Sequence, residues 1–580
     1  MAFYLSPLVD VNEIDLSITI PAVATSIGVI ILRETYRGPE LKKSLLTSED
    51  DLIMMFGEPT DKSDCYKDML SASGFLKYGN KLYATRVMPE DATFAGTKIT
   101  SGGMVGFESF DSPYVLSDFA SEDPDEFDKD VIVDDSNPLW IIASSRGEWG
   151  NNIRVSILDK TSQTQMASGG NDTWETYPLF TSLDEPLQDN SSFIIVVEEK
   201  EQGDSDDNWT VQEVFNVSTK ERAIDDQGVT RYVENVINQR SSYIRVSIKD
   251  DVIDQPWEIS TPDPIVLEDG YNGAGSVEDA DIMDALDLYS NSEEIDVNMF
   301  IDSDKSETVK KYMNQICEKR IDCMSILDCP RDLVVANRGS EVTDLTDWRK
   351  GLGSFNTENL NVNTSYSALY GNWIEVYDRY NRKYRWIPVS GHVGGIYANT
   401  DNTNDAWWAP AGLNRAILTS VRRLAWNPDL GKRDILYKNG INPIVSFAGQ
   451  GKVVWGQKTL LDKSSAFNRV NVRRLFIVLE KAISTASKYF LFEPNDTATR
   501  ESLVAMINPF LRDVKGRRGI YDFKVVCDET NNSPERIDRN EMWVSLYIKP
   551  TRTAEFIVLN FIAMKTGASF SEAAAVMGEI

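Results

Sequence analysis

Phe467-Asn-Arg-Val-Asn-Val-Arg-Arg-Leu475, with the chain that follows it to residue 562, decides how this sequence is read. Val472, Leu475, Phe476, Leu479, Ile483, Ala486 and Phe490 recur at three- and four-residue steps, which puts them on one face of a long helix. Asn468 or Asn471 is the expected cap, and Pro494 follows the end. Three strand-like runs come next. Tyr521, Phe523, Val525 and Cys527 alternate with Asp522, Lys524 and Asp528, and Val544, Leu546 and Ile548 alternate with Ser545 and Lys549. Residues 556–562 form a third, more continuously apolar run. The loop at 527–540 is too long for a tight hairpin turn. The stretch reads as one long helix followed by three strand-like runs.

Outward from that stretch, 580 residues exceed one hydrophobic core and suggest roughly three or four domains. A hydrophobic share of 42% is ordinary for globular packing. The formal net charge of −31 argues against a nucleic-acid-binding surface. The acid is uneven: residues 101–250 hold 30 Asp/Glu against 11 Lys/Arg, and residues 411–580 hold 17 against 25. A difference of that sign lets one end of a copy attract the other end of a neighbour, although a solubilising acidic surface explains it too. Five cysteines, with the single His392 far from the 317, 323 and 329 group, give neither a disulfide scaffold nor a zinc pattern, and they suit a reducing compartment. The acidic start (Asp10, Glu13, Asp15) is unlike a signal peptide, and no apolar run approaches the ~20 residues of a membrane span.

Taken in order, residues 1–22 carry Ile14, Leu16, Ile18 and Ile20 in strict alternation, a terminal strand placed to pair at home or on a neighbour. A strand at 26–32, a capped helix at 48–56 ending at Gly57, a helix at 62–77 and a strand at 81–87 follow. Acidic clusters then separate short β runs at 139–143, 153–158, 193–197 and 243–248, so 96–265 reads as an inserted β-rich module. Helix and strand alternate again at 279–288, 297–301, 307–320 and 324–327, the pattern of an α/β layer. The Trp-rich region 355–415 reads as core and interface anchors, with a sugar or base platform as the rival. Residues 421–424 and 435–439 read as helix.

Candidate chemistry is sparse. The loop Gly451-Lys-Val-Val-Trp-Gly456-Gln-Lys458-Thr459 resembles a phosphate loop, but Gln457 separates the last Gly from its Lys, and the flanks read as strand. One His leaves few triad arrangements, and no Gly-x-Ser-x-Gly or HExxH occurs. The reading is a non-enzyme with no cofactor and no metal. A nucleotide-dependent enzyme using the 451–459 loop is the alternative from another class, and a sugar-binding fibre is a third.

Several stretches in this order resemble the tail sheath proteins of contractile-tailed, T-even-like bacteriophages. They are Arg37-Gly-Pro39 with Phe56-Gly-Glu-Pro-Thr60, Trp408-Ala-Pro-Ala-Gly-Leu-Asn-Arg415, Asn439-Gly-Ile-Asn-Pro443, Arg469-Val-Asn-Val-Arg-Arg-Leu475, and Cys527-Asp-Glu-Thr-Asn-Asn532 with Ile537-Asp-Arg-Asn540. The resemblance covers 26–95 and 280–565. It implies an α/β (α+β) multidomain fold: a terminal β-arm (1–22), a discontinuous middle domain (23–95 and 266–425), the acidic outer insertion (96–265), an inner domain (426–550) and a C-terminal arm and tail (551–580). It also implies a structural virion protein, assembled in the host cytoplasm. Copies would stack as hexameric rings in a helical polymer around the tail tube protein, with baseplate and tail terminator proteins as further partners, and would contract for genome ejection. Neither direct nucleic-acid binding nor membrane insertion is implied. A tailocin or type VI-like sheath is the nearest rival.

On that resemblance Ile14, Leu16, Ile18 and Ile20 at one end, and Ile557, Leu559 and Phe561 at the other, are arm residues that add to a neighbour's sheet. Phe523, Val525, Val544 and Leu546 would form the receiving sheet. Arg512, Lys515, Arg517 and Arg518, at the end of a helix expected over 501–518, would face the tube. The same cations also complement that helix's dipole, at ~0.3–1 kcal/mol each.

Overall fold

The computed structural model describes residues 26–100, 103–105, 139–160, 187, 189–200, 208–225, 227–248, 252–257, 261–353, 355 and 358–559. Two compact units result, Met1–Glu493 and Pro494–Ile580. The expected arm residues Ile14, Leu16, Ile18, Ile20 and Phe561 lie outside the described residues.

The first unit is built on a seven-stranded sheet. Its order is Ile441–Asn442, Ser367–Tyr370, Met324–Asp328, Met299–Ile301, Gly28–Arg33, Leu82–Val87 and Ser44–Leu46. Every pairing is parallel except the last, at the edge. In Gly28–Arg33 all six residues are buried, because helices cover both faces. Ile30 and Leu32 enter a core with Ser63–Leu76 and Ser390–Thr403, while Val29 and Ile31 enter another with Asp279–Asp287 and Glu307–Arg320. Ser63–Leu76 and Ser390–Thr403 approach so closely that a Cβ on Gly391 would lie 2.1 Å from the Ser71 carbonyl oxygen. The helix Glu49–Phe56 starts as its sequence suggests. Ser48 caps it in a reciprocal box with Asp51, and Gly57 (φ 77°) ends it.

The insertion leaves and rejoins this sheet side by side, through bridges Thr93–Tyr271 and Gly96–Glu268. It holds two four-stranded sheets around its own core. One orders Ile244–Ile248, Leu139–Ala143, Gly96–Thr100 and Gly103–Val105, and the other Thr261–Val266, Ile153–Asp159, Ser192–Lys200 and Trp209–Ser218. It is less purely β than expected, because Val233–Arg240 is a helix packed on that core. A buried clasp ties it to the sheet. The Glu40 carboxylate accepts from Arg86 at 3.0 Å and from Arg146 at 2.9 and 2.7 Å, and Arg86 also donates to the Arg146 carbonyl.

Two expectations in this unit are corrected. Residues 421–424 form a strand rather than a helix: Val421–Leu424 pairs antiparallel with Trp373–Asp378. The long helix, Val470–Ser487, starts at Arg469 without a side-chain cap, and neither Asn468 nor Asn471 serves. A tertiary contact replaces the cap, since the Val470 amide donates to the Gln457 carbonyl at 2.9 Å. Val472, Leu475, Leu479, Ile483 and Ala486 are buried as the spacing predicts, whereas Phe490 falls in a short 3₁₀ turn, Lys488–Phe490.

In the second unit the expected helix over 501–518 is Thr497–Gly516, capped by Asp496, which accepts from the Thr499 amide. Leu503, Met506, Ile507, Leu511 and Val514 form its buried face. The strands Ile520–Val526 and Ser545–Pro550 make a two-stranded antiparallel sheet, and the short helix Pro534–Asp538 lies in the loop between them. The stretch that begins at Phe467 is thus divided, its helix in the first unit and its two described strands in the second.

Candidate functional site: an open two-stranded sheet

The sheet of the second unit pairs Phe523 with Ile548 and Val525 with Leu546. Directly opposed residues share a face, so these four form one half-buried apolar side. Asp522, Lys524, Tyr547 and Lys549 are exposed on the other. Phe523, Val525 and Leu546 therefore lie together on one face. Val544 does not join them, because it ends the loop one residue before its strand begins.

A two-stranded sheet is marginal by itself, and among the described residues neither outer edge has a partner strand. The expected third run is not a strand where it is described. Residues 551–559 form no regular element, and Phe556, Ile557, Val558 and Leu559 are 85, 78, 81 and 71% exposed. Strand propensity is present in that run but, among the described residues, a partner strand is not, and a strand is defined by its partner's hydrogen bonds.

The long loop between the strands is tightly held. Asn532, 2% exposed, accepts from the Trp543 amide at 2.7 Å and donates to its carbonyl at 2.9 Å. Asn531 donates to the Val526 carbonyl, and the Arg536 guanidinium lies 4.0 Å from the Trp543 ring centre. Sequence reading singles out these residues without assigning them a role. The signal was the pair of asparagines, which turn side-chain amides into backbone partners.

Of the expected tube-facing cations, Lys515 bonds Asp522 at 2.9 Å and holds that carboxyl below the usual carboxylate range. Arg517 bonds Asp513. Arg512 and Arg518 are exposed, and Arg518 takes the left-handed backbone (φ 65°) just past the helix end.

The carboxyl edge of the parallel strands, where α/β folds usually place ligands, is filled by side chains. The fully buried Asp68 accepts from Arg33 at 2.8 and 3.0 Å, Lys305 at 2.7 Å and Ser303 at 2.7 Å. Asp328, pushed up to about 8 by burial and by Asp302, accepts from the Val389 and Ser390 amides. The 451–459 loop is no phosphate cradle. Gly451–Val454 is a strand paired with Ile444–Phe447, the Lys458 amide donates to Asn442, and the Thr459 hydroxyl donates to the Phe467 carbonyl.

Residues 275–460 match the family model of the phage tail sheath protein central domain, and residues 462–563 that of the phage tail sheath C-terminal domain. The tail sheath protein of Vibrio phage KVP40 is 40% identical over 380 residues, 62% of this chain and 55% of that protein, so the chain spans about half the length of that relative. The tail sheath protein of Enterobacteria phage T4 is 29% identical, covering 99% of this chain and 100% of that one. Among solved structures, the anti-feeding prophage helical sheath in the contracted state has a TM-score of 0.50 at 14% identity, over 97% of this chain and 99% of that chain.

Proposed function

From the premise that this chain belongs to the tail sheath family of T-even-like phages and is a structural subunit of a contractile tail sheath, we propose how it assembles. Copies stack as hexameric rings around a tail tube, held together by strands that each subunit lends to its neighbours. The observation that carries this reading is the pairing of an exposed apolar run, 556–559, with a two-stranded sheet whose outer edges are unpartnered among the described residues. Added to a neighbour's edge, the run would exchange water for main-chain hydrogen bonds and place Ile557 and Leu559 on one face. Residues 13–20 are the matching arm at the other terminus, with polar joints at 23–26 and 550–553. Linked this way, subunits can rotate while the lattice stays connected.

Contraction in this scheme uses no nucleotide. The free energy comes from new interfaces that form between subunits, and the tube is driven through the host envelope as the sheath shortens. Baseplate, tube and terminator proteins are the partners of this cycle, the subunit is not an enzyme, and assembly precedes release from the host cytoplasm. The test is deletion of residues 1–20. The truncated chain should stay monomeric by sedimentation with an unchanged circular dichroism spectrum, and should form no striated tubes by negative-stain microscopy. Normal tubes from the truncated chain would refute the arm exchange.

A further inference from the structure

The corrected strand Val421–Leu424 completes a second, three-stranded sheet with Trp373–Asp378 and Lys383–Pro388. One face packs Ile374, Val376 and Ile387 into the core. The other face is buried at Trp373, against whose core cluster Trp386 also packs, and is open only toward Tyr377 and Tyr384, each about half exposed. A register shift between Glu375 and Val376 brings both Arg422 and Arg423 to the same carboxylate, at 3.4 and 2.7 Å. That carboxylate is only 6% exposed, whereas the two arginines are 54 and 62% exposed. Arg422 lies 4.0 Å from the Tyr384 ring centre and Arg423 5.1 Å from that of Trp386, and Tyr377 packs against Tyr384. One carboxylate between two guanidinium groups leaves net positive charge. Arg423 gives its Nε–Nη2 fork to Glu375 at 2.7 and 2.8 Å, and the rings beside both guanidinium groups leave the remaining N–H groups as donors for a further carboxylate.

The complementary chemistry lies in the same sequence. Residues 118–135 carry nine Asp/Glu and one Lys, with Phe119, Phe127, Val131, Ile132 and Val133 interspersed. They lie outside the described residues, between strands Gly103–Val105 and Leu139–Ala143, which flank Gly96–Thr100 on its two sides. The anchor points are thus two strand spacings apart, about 10 Å. Half the intervening chain, fully extended, reaches about 50 Å, far enough to meet another molecule. We propose that the arginine–tyrosine face of this sheet is a docking site for the acidic segment 118–135 of a second copy of this chain. Two such faces, or two such segments, brought together would repel, so the contact joins unlike surfaces of the two copies. It stands apart from the strand exchange above and can fail or succeed independently of it.

A fluorescent peptide of residues 116–137, titrated with the full-length chain and read by anisotropy, tests the site. We expect saturable binding at 50 mM salt, at least tenfold weaker in the Arg422→Glu/Arg423→Glu variant and lost at 500 mM salt. A peptide with Asp and Glu replaced by Asn and Gln should not bind. Arg422→Gln/Arg423→Gln, also expected to weaken binding, serves where the Glu pair perturbs folding by circular dichroism. Equal binding by these variants overturns the proposal. So does a wild-type chain that binds the peptide only after its own segment is neutralised, which would place that segment on the face within one molecule. Tighter binding of a duplex oligonucleotide at the same arginines overturns it as well, in favour of a polyanion site.

Discussion

Replacing Asp68 with Asn tests how the carboxyl edge of the main sheet is held. The carboxylate accepts five hydrogen bonds: three from Arg33, one from Ser303 and one from Lys305. Burial alone would raise its pKa, but Arg33 and Lys305 outweigh burial and hold it low. An amide of the same shape accepts through one oxygen only and turns an N–H toward the donors, so buried cations lose their counter-charge. Breaking a buried pair this way costs about 3–5 kcal/mol. Lys305 tempers the loss. Burial and the neighbouring Arg33 already draw it down to about 8, and loss of the Asp68 charge and hydrogen bond draws it lower still, toward the neutral amine. The charge left stranded is then mainly that of Arg33, which places the expected cost near the lower end, about 3 kcal/mol. The same reasoning fixes a pH dependence. With the variant's Lys305 deprotonating below the wild-type value, its folded state binds fewer protons than its unfolded state, so its stability rises with pH. The deficit should therefore shrink between pH 6 and pH 8. Urea unfolding of both proteins at the two pH values measures it. A loss below about 1 kcal/mol, or a deficit that grows with pH, would refute a charge-stabilised edge.

The one histidine gives a second pH signature. Burial, with Lys77 adding to it, draws His392 down to about 3, so below the unfolded value near 6.5 the unfolded chain binds the extra proton and stability falls. From pH 6.5 to 5 the loss is about 2 kcal/mol, and His392→Gln should flatten that slope whatever its effect at pH 7. An unchanged slope in urea unfolding would count against it. Asn532→Ala should leave the Trp543 amide and carbonyl without their buried partner, at about 1–3 kcal/mol. Hydrogen exchange across 528–544 should accelerate while that of Gly28–Arg33 stays the same, and unaltered protection would remove Asn532 from its role. Reversal of Lys515 and Arg518 to Glu should shorten sheaths grown on tubes and leave the monomer folded. Full-length sheaths would leave these cations with only their helix-end and Asp522 contacts.

What the sequence revealed depended on whether the deciding interactions were local. The helix Glu49–Phe56 was legible because Ser48, Asp51 and Gly57 supply its ends within a few residues. Gly28–Arg33 was legible because burial on both faces leaves an unbroken apolar run. Val421–Leu424 was misread because an apolar pair three residues apart, with two arginines between, fits a helix face as well as a strand. Its partner is about fifty residues upstream in Trp373–Asp378, and the register shift that gathers both arginines has no local mark. The start of Val470–Ser487 failed for a related reason, since a main-chain carbonyl from Gln457 replaces the side-chain cap and carries no sequence identity. Glu40 shows the opposite case: the motif Arg37-Gly-Pro39 just before it was visible, while its two buried arginine partners were not.

The 556–559 run marks the limit of what one chain can specify. Its residues have strand propensity, yet nothing in the described subunit pairs with them, and four consecutive exposed apolar side chains are costly to leave in water. A monomeric protein is expected to blunt such a segment with charge or proline. Here Glu555 precedes it, and Phe556 to Leu559 carry no interruption. The same reasoning applies to the sheet of the second unit, too narrow to be secure and closed at neither edge among the described residues. Each deficiency is the complement of the other. A segment seeking an edge and a sheet offering one, present on every copy of the chain, fit the proposed strand exchange as two halves of one contact better than as separate defects of a lone fold.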